Sequence, residues 1–407
     1  MINVLYVEEN QDGTTGGSHY CLLDLVEVLS RDKFNPIVMF YENNRAVPDF
    51  QRSGVRVIIF PKPRAISIIK ILENGPLRFI TKYPFLLRPI QVIINILITN
   101  LYPILFFIYF IMLNDIRIIH LNNSVFTGLE WLIAAKITGR KIIAHQRSYF
   151  EGFPKIYVYH SRFFDHILGI SNSTKEFLHK YGVKLDKYTT FYDRIDINKF
   201  RSNVTVSRDA VREEFSITKE QPLIGIVGNL QRWKGQMTVV EAVHLLKDRY
   251  PGLRCLLVGD SSKIAKDDVQ YYDELISKIK AYSLRENIII TGFRTDVANL
   301  LNAMDIFIHA SIRPEPWGLV VLEAMAMGKA IIASNDGGPV EMIVNGESGY
   351  LVEPGKPETL AEKLDLLLAD PSLRRDMGQN ALNQMQEKFS NIDIAFIENL
   401  YQDLIRR

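Results

Sequence analysis

Short apolar, β-branched runs alternate along this chain with stretches whose apolar residues return at helical spacing. The first run, residues 2–7, leads through a glycine-containing turn into an amphipathic stretch beginning near Gly17. Runs follow at 36–41, 55–60, 116–121, 141–145 and 166–171. The pattern restarts at 223–227 and continues at 254–258, 287–291, 306–310, 330–333 and 350–352. Short runs bracketed by helices belong to strands covered on both faces, as in a parallel sheet. Two successive sets predict two Rossmann-like, doubly wound α/β domains. We place the first at 1–200, a polar linker at 201–221 and the second at 222–388. A C-terminal helix at 389–407 is expected to pack back on the first domain. Open sheets bind ligands beyond the carboxyl ends of their strands, so the two domains should face each other across an interdomain cleft.

One segment breaks this pattern. Residues 89–113 (PIQVIINILITNLYPILFFIYFIML) are nearly free of charge. At about 1.5 Å per residue they approach the roughly 30 Å core of a bilayer. Asn95, Thr99, Asn100 and Pro103 interrupt the run, and a span would strand the next β-run on the far side of the membrane. Just before it lie Lys62, Arg64, Lys70, Arg78, Lys82 and Arg88 against Glu73 alone. The arrangement predicts a helix lying in the interface of an anionic membrane, ahead of an apolar core helix or a span.

Composition narrows the class further. A chain of 407 residues is long for one core and suits two domains. With 47% hydrophobic and 23% charged residues it is not a disordered protein, and a net charge of +2 carries no nucleic-acid footprint. Cys21 and Cys255 each sit in an apolar run and read as buried thiols rather than a disulfide or metal site. The opening MINVLYVEEN lacks a basic stretch followed by a long apolar core, so no secretory signal is expected. A reducing cytoplasm is expected, with the protein peripheral at the inner face of the cell membrane.

The strongest chemical signal runs from Arg313 to Gly328, RPEPWGLVVLEAMAMG. A strand ends just before it, Pro314 and Pro316 stiffen the loop, and a helix should begin around Gly318. Uncapped N–H groups at such a start favour an anion. Glu315 falls in the loop and Glu323 on the helix. Singly they read as a solvated loop acid and a helix-surface acid; together they can accept hydrogen bonds from paired sugar hydroxyls. The eight histidines are scattered, and no metal-ligand spacing stands out. Dinucleotide fingerprints, a serine elbow and a P-loop are all missing.

These residues resemble the E-x7-E motif of the retaining GT-B glycosyltransferases, family 4. Further matching pieces are Gly228-Asn-Leu-Gln-Arg-Trp-Lys234-Gly235, Gly259-Asp260, Thr291-Gly292-Phe293, Gly337-Gly338 and Asn345 to Gly349. In the first domain Gly16, Gly17, His120 and His145 fall where the family places its glycine loop and strand-end histidines. The resemblance implies that Gly16 and Gly17 let the backbone approach the donor, and that Lys234 balances its diphosphate. It gives the amides of Gly318, Leu319 and Val320 to the same phosphates, Glu323 to the ribose and Glu315 to the transferred sugar. Phe293 would line the base pocket, and His145 would lie near the reacting sugar. Two departures stand out. Asn229 replaces a common Arg, for which Arg232 is the candidate substitute and donor ligand. Asp193-Arg194 replaces a common Asn-Gly.

The implied function is retaining, metal-independent transfer of a sugar from a nucleotide-sugar donor to a glycan or lipid-linked acceptor. No cofactor is implied beyond the donor itself. Such a reaction would serve cell-surface polysaccharide or glycolipid assembly. The rivals are a nucleotide-sugar epimerase on the same fold and a catalytically silent GT-B binding subunit.

Overall fold

Each set of apolar runs becomes one parallel sheet in the computed structural model, which describes residues 1–9, 16–73, 78–79, 83–149, 153, 155–261 and 266–406. The chain divides into two compact units. Unit 1 comprises Met1–Ile170, Thr174–Phe191 and Asp393–Arg407; unit 2 comprises Ser171–Ser173 and Tyr192–Ile392.

Unit 1 carries β1 (Ile2–Glu8), β2 (Phe34–Phe40), β3 (Arg56–Ile59), β4 (Ile116–Leu121), β5 (Lys141–Gln146), β6 (His166–Gly169) and β7 (Tyr188–Thr190). Their order is β3-β2-β1-β4-β5-β6-β7, so the strand order reverses between β1 and β4. That reversal is where open sheets of this kind place ligands. Val4, Leu5, Tyr6 and Val7 are all fully buried, which requires cover on both faces of β1. The helix Ile394–Arg406 belongs to this unit: Tyr401 is fully buried against Phe34, and Glu398 accepts from the Ser30 amide and Lys33. Strand β7, a tyrosine and two threonines, is too polar to read as an apolar run.

Unit 2 carries β8 (Leu223–Val227), β9 (Arg254–Val258), β10 (Ile288–Gly292), β11 (Ile306–His309), β12 (Ala330–Ser334) and β13 (Tyr350–Val352). The order is β10-β9-β8-β11-β12-β13, with its reversal between β8 and β11.

The linker expected at 201–221 is instead a packed part of unit 2, and the unit boundary falls at Phe191/Tyr192 rather than at 200. Ser207 caps the helix Arg208–Glu214. Arg212, 2% exposed, donates to the Ala303 and Thr218 carbonyls, while Arg208 pairs with Asp305 at 2.6 Å. The polarity that read as a linker belongs to side chains tied by hydrogen bonds and ion pairs to the rest of unit 2.

The apolar segment forms the helix Pro84–Ile96, a π-turn Leu97–Leu101 and the helix Tyr102–Leu113. Among the described residues, Leu87–Leu113 is the one stretch long and apolar enough to cross a membrane. It is core on one side only. Phe107, Phe110 and Ile111 are buried, with Phe107 stacked on Trp131 at 3.6 Å. Ile93, Leu105, Tyr109 and Leu113 are each more than half exposed. Asn95, which interrupts the run in sequence, bonds through its side chain to both the amide and the carbonyl of Ile66. Lys82 lies outside the described residues.

Candidate functional site

In unit 2 the loops after β8 and β11 bring their charged residues together. Lys234 follows β8 and closes a short 3-10 turn, Arg232–Lys234. Glu315 follows β11. Lys234 Nζ lies 2.6 Å from Glu315 Oε2 and 4.0 Å from the Trp233 ring centre. Ser311 donates to the same carboxylate oxygen at 3.1 Å, and His309 Nε2 stands 3.5 Å from it. Burial alone would push the Glu315 carboxyl up. The Lys234 charge and the hydrogen bonds from His309 and Lys234 outweigh it and hold the group well below the usual carboxylate range. The site therefore presents a fixed carboxylate and a fixed ammonium side by side.

The loop carrying Glu315 is held in place by close backbone packing. A Cβ on Gly337 would lie 2.2 Å from the Glu315 carbonyl oxygen, so only glycine fits there. Gly338 N donates to that carbonyl at 2.8 Å. Trp317, 2% exposed, donates to the Asp193 carbonyl at 2.9 Å and stacks on Tyr192. The Asp193-Arg194 pair is thus accommodated in unit 2, with Arg194 donating to the Asn391 carbonyl.

Gly318 starts the helix Leu319–Ala326 with φ +91°, a conformation that favours glycine, and no side chain caps that helix. Leu319 and Val320 form its first turn, where N–H groups and the helix dipole attract anions. Glu323 lies one turn further on, half-buried, and burial pushes its carboxyl up to about 7. Phe293, just after β10, is largely exposed. Arg232 is turned elsewhere: it grips Glu274 at 2.7 and 3.1 Å and lies over the Tyr271 ring.

In unit 1, Gly16 precedes the helix Gly17–Val28, and a Cβ placed on Gly16 would meet nothing within 4 Å. Nothing else in the described residues, and no unusual backbone angle, demands glycine there. His120 and His145 are the next-to-last residues of β4 and β5; both are fully buried, with ring centres 5.4 Å apart. Burial and then the Arg147 charge lower the His120 imidazole to about 3 and hold His145 well below its ordinary value. Both rings are neutral at physiological pH, so neither is a ready cation. Gly16, Gly17, His120 and His145 belong to unit 1, and every other anticipated site residue belongs to unit 2.

Several participants escaped the sequence reading. His309 and Ser311 were legible as polar residues closing the apolar run of β11. Arg147, Asn122 and Glu8 follow or end apolar strands in the same way. Tyr401 left no signal, because its partner His120 is 281 positions away.

The family model described as glycosyl transferases group 1 matches residues 207–384. Trehalose synthase of Pyrococcus horikoshii is 33% identical over 184 residues, 44% of this chain and 43% of its own. N-acetyl-alpha-D-glucosaminyl L-malate synthase of Bacillus anthracis is 29% identical over 220 residues, 53% of this chain and 54% of its own. The chain spans about half the length of the curated relatives it matches. Among solved structures, Anabaena HepE in complex with UDP-glucose aligns over 100% of both chains with a TM-score of 0.77 at 21% identity. That likeness shows the fold, GT-B, across the whole chain.

Proposed function

We infer, for a chain that belongs to the glycosyl transferases group 1 through residues 207–384, that it moves a sugar from a nucleotide-sugar donor to an acceptor hydroxyl. The observation that carries this reading is the Lys234–Glu315 pair beside the uncapped helix Leu319–Ala326. Lys234 and the first amides of that helix neutralise the departing diphosphate, work otherwise given to a divalent cation, so no resident metal is required. Glu315, held ionised, accepts from hydroxyls of the transferred sugar. Glu323 takes the ribose, Phe293 lines the base pocket, and Gly16 and Gly17 admit the donor. His145 lies near the reacting sugar.

Transfer proceeds with retention. The acceptor hydroxyl attacks the face the diphosphate leaves, and the departing phosphate oxygen takes its proton. No side-chain nucleophile is needed: Glu315 is committed to its ion pair.

The named products of the relatives differ, so the acceptor is read from this chain's own unit 1. The exposed face of 84–113 and its single charge, Arg88, fit the interface of an anionic membrane at the inner face of the cell. A lipid-linked acceptor in polysaccharide or glycolipid assembly follows.

Thermal unfolding against UDP, GDP, ADP, CMP and dTDP and their sugars tests the core of this reading. UDP comes first, since HepE of like fold is seen with UDP-glucose. A ligand at about a hundred times its Kd adds about 2.7 kcal/mol. One nucleotide should stabilise the wild type and fail with Glu323→Ala. No stabilisation by any of them would overturn the assignment.

A further inference from the structure

Three donors meet on one oxygen of the Glu315 carboxylate. Lys234 Nζ lies 2.6 Å from Oε2, Ser311 Oγ 3.1 Å and His309 Nε2 3.5 Å. A carboxylate oxygen offers two lone pairs, so Oε2 is fully engaged. Among the described residues no side-chain donor is bonded to Oε1, and Oε1 is not one of the buried atoms left without a partner. The free oxygen therefore faces solvent, on a side chain that is 12% exposed. His309 and Ser311 are both buried behind it. Ser311 gives its proton to Glu315, so its oxygen can accept from His309 Nε2–H at 3.2 Å. The opposite ring nitrogen, Nδ1, is buried without a partner, and a proton there would be an orphaned donor. The bonds thus run in one direction, from His309 through Ser311 to Glu315, and each polarises the next. The backbone beneath them is fixed, with His309 paired to Ala333 and its carbonyl accepting from Ser334 at 3.3 Å.

Resting on the reading of this chain as a glycosyl transferase, we propose that His309 and Ser311 are positioning residues that saturate Oε2 of Glu315, so that Oε1 alone receives hydroxyls of the transferred sugar. Without them the carboxylate could turn and present either oxygen to Lys234, and a sugar would meet it in two orientations. With them, Lys234 spends one of its three N–H groups on Oε2 and keeps the others for the diphosphate. The start of the helix Leu319–Ala326 lies against the same group: a Cβ on Gly318 would stand 3.5 Å from Glu315 Cγ and 3.7 Å from His309 Nε2. His309 and Ser311 therefore act on the sugar through Glu315, and the nucleotide is left to other residues.

The test compares bare nucleotides with their sugar nucleotides by calorimetry, over UDP, GDP, ADP, CMP and dTDP and their common sugars. The proteins are wild type, Ser311→Ala, His309→Phe and His309→Gln. For the nucleotide that binds wild type, Ser311→Ala and His309→Phe should leave its Kd within about two-fold. The Kd of its sugar nucleotide should rise about ten-fold, the effect of one hydrogen bond to a charged group. His309→Gln, whose amide N–H can take the place of Nε2–H, should restore most of the loss. In parallel, the Glu315 carboxyl carbon is titrated in full chain labelled with 13C-glutamate and assigned with Glu315→Gln. It should titrate below the usual carboxylate range in wild type, and at higher pH in Ser311→Ala and His309→Phe. Thermal melts verify folding, and Ser311→Ala, which removes one oxygen atom, is the milder variant. A titration unchanged in both variants overturns the proposal. Losses equal for nucleotide and sugar nucleotide, or absent from both, overturn the assignment of Oε1 to the sugar. A wild type that binds no nucleotide of the panel overturns the functional reading, while the titration still decides whether His309 and Ser311 hold Oε2.

Discussion

Lys234 and Glu315 sit 81 positions apart in sequence and 2.6 Å apart in space, in a contact that is mostly buried. Removing one partner of such a pair leaves the other charge without its counter-ion. Lys234→Ala should lower stability by about 1–3 kcal/mol, discounted from a fully buried pair because Lys234 is 20% exposed. The Glu315 carboxyl is depressed in the folded state, so its stabilisation is complete above the unfolded value near 4.5 and is lost as pH falls. The gap between wild type and Lys234→Ala in chemical denaturation should therefore narrow below about pH 4.5. Turnover should fall about a hundred-fold in the same variant, the loss expected for one charge-stabilising donor.

Glu9 and Glu323 predict the opposite pH dependence. Burial raises both carboxyls to about 7, with the Thr127 hydroxyl partly offsetting it at Glu9. A folded value above the unfolded one means stability is fully present below about pH 4.5 and is lost as pH rises through 7. Because both groups are partly exposed, each contributes on the order of 1 kcal/mol. Wild type should lose stability between about pH 4.5 and 7, and Glu9→Gln and Glu323→Gln should each flatten part of that slope. Donor binding should also release a proton near pH 7, as ribose hydroxyls select the Glu323 carboxylate. Equal proton release in wild type and Glu323→Gln would deny that residue the role.

The strands were legible because buried parallel strands leave continuous apolar runs, and all but one of the thirteen were anticipated. The segment at 201–221 was misread because Arg208 and Arg212 pair with Asp305, a partner that local composition cannot reveal. Glu315 was legible from its loop-and-helix pattern and Lys234 from the family resemblance, but their contact was not, since a motif shows spacing along the chain and not the meeting of two loops. The contact of His120 with Tyr401 was further out of reach, since Tyr401 sits in a terminal helix 281 positions away.

Arg232 faces a competitor for any phosphate it serves. Its guanidinium is held by Glu274 at 2.7 Å, with Asp267 at 3.9 Å. To stand in for the cation missing at Asn229 it must leave Glu274, and that exchange weakens donor binding. Glu274→Gln should lower the donor Kd several-fold, and Arg232→Ala should raise it, both by calorimetry. An unchanged Kd in both variants would show that Arg232 serves only the helix Lys266–Ala281.

The segment 84–113 offers two kinds of apolar residue that should respond in opposite ways. Phe107 is fully buried on Trp131, and Phe107→Ala should destabilise by about 3–5 kcal/mol. Ile93, Leu105 and Tyr109 are 57–63% exposed, so serine in their place should leave the melting temperature within a degree or two. If this face docks on lipid, the triple serine variant should lose sedimentation with vesicles containing anionic phospholipid. Wild type should be retained by those vesicles at low salt, and less so as salt screens Arg88 and its basic neighbours. Equal sedimentation of wild type and the triple variant would remove the membrane from the functional reading and leave the chemistry of unit 2 intact.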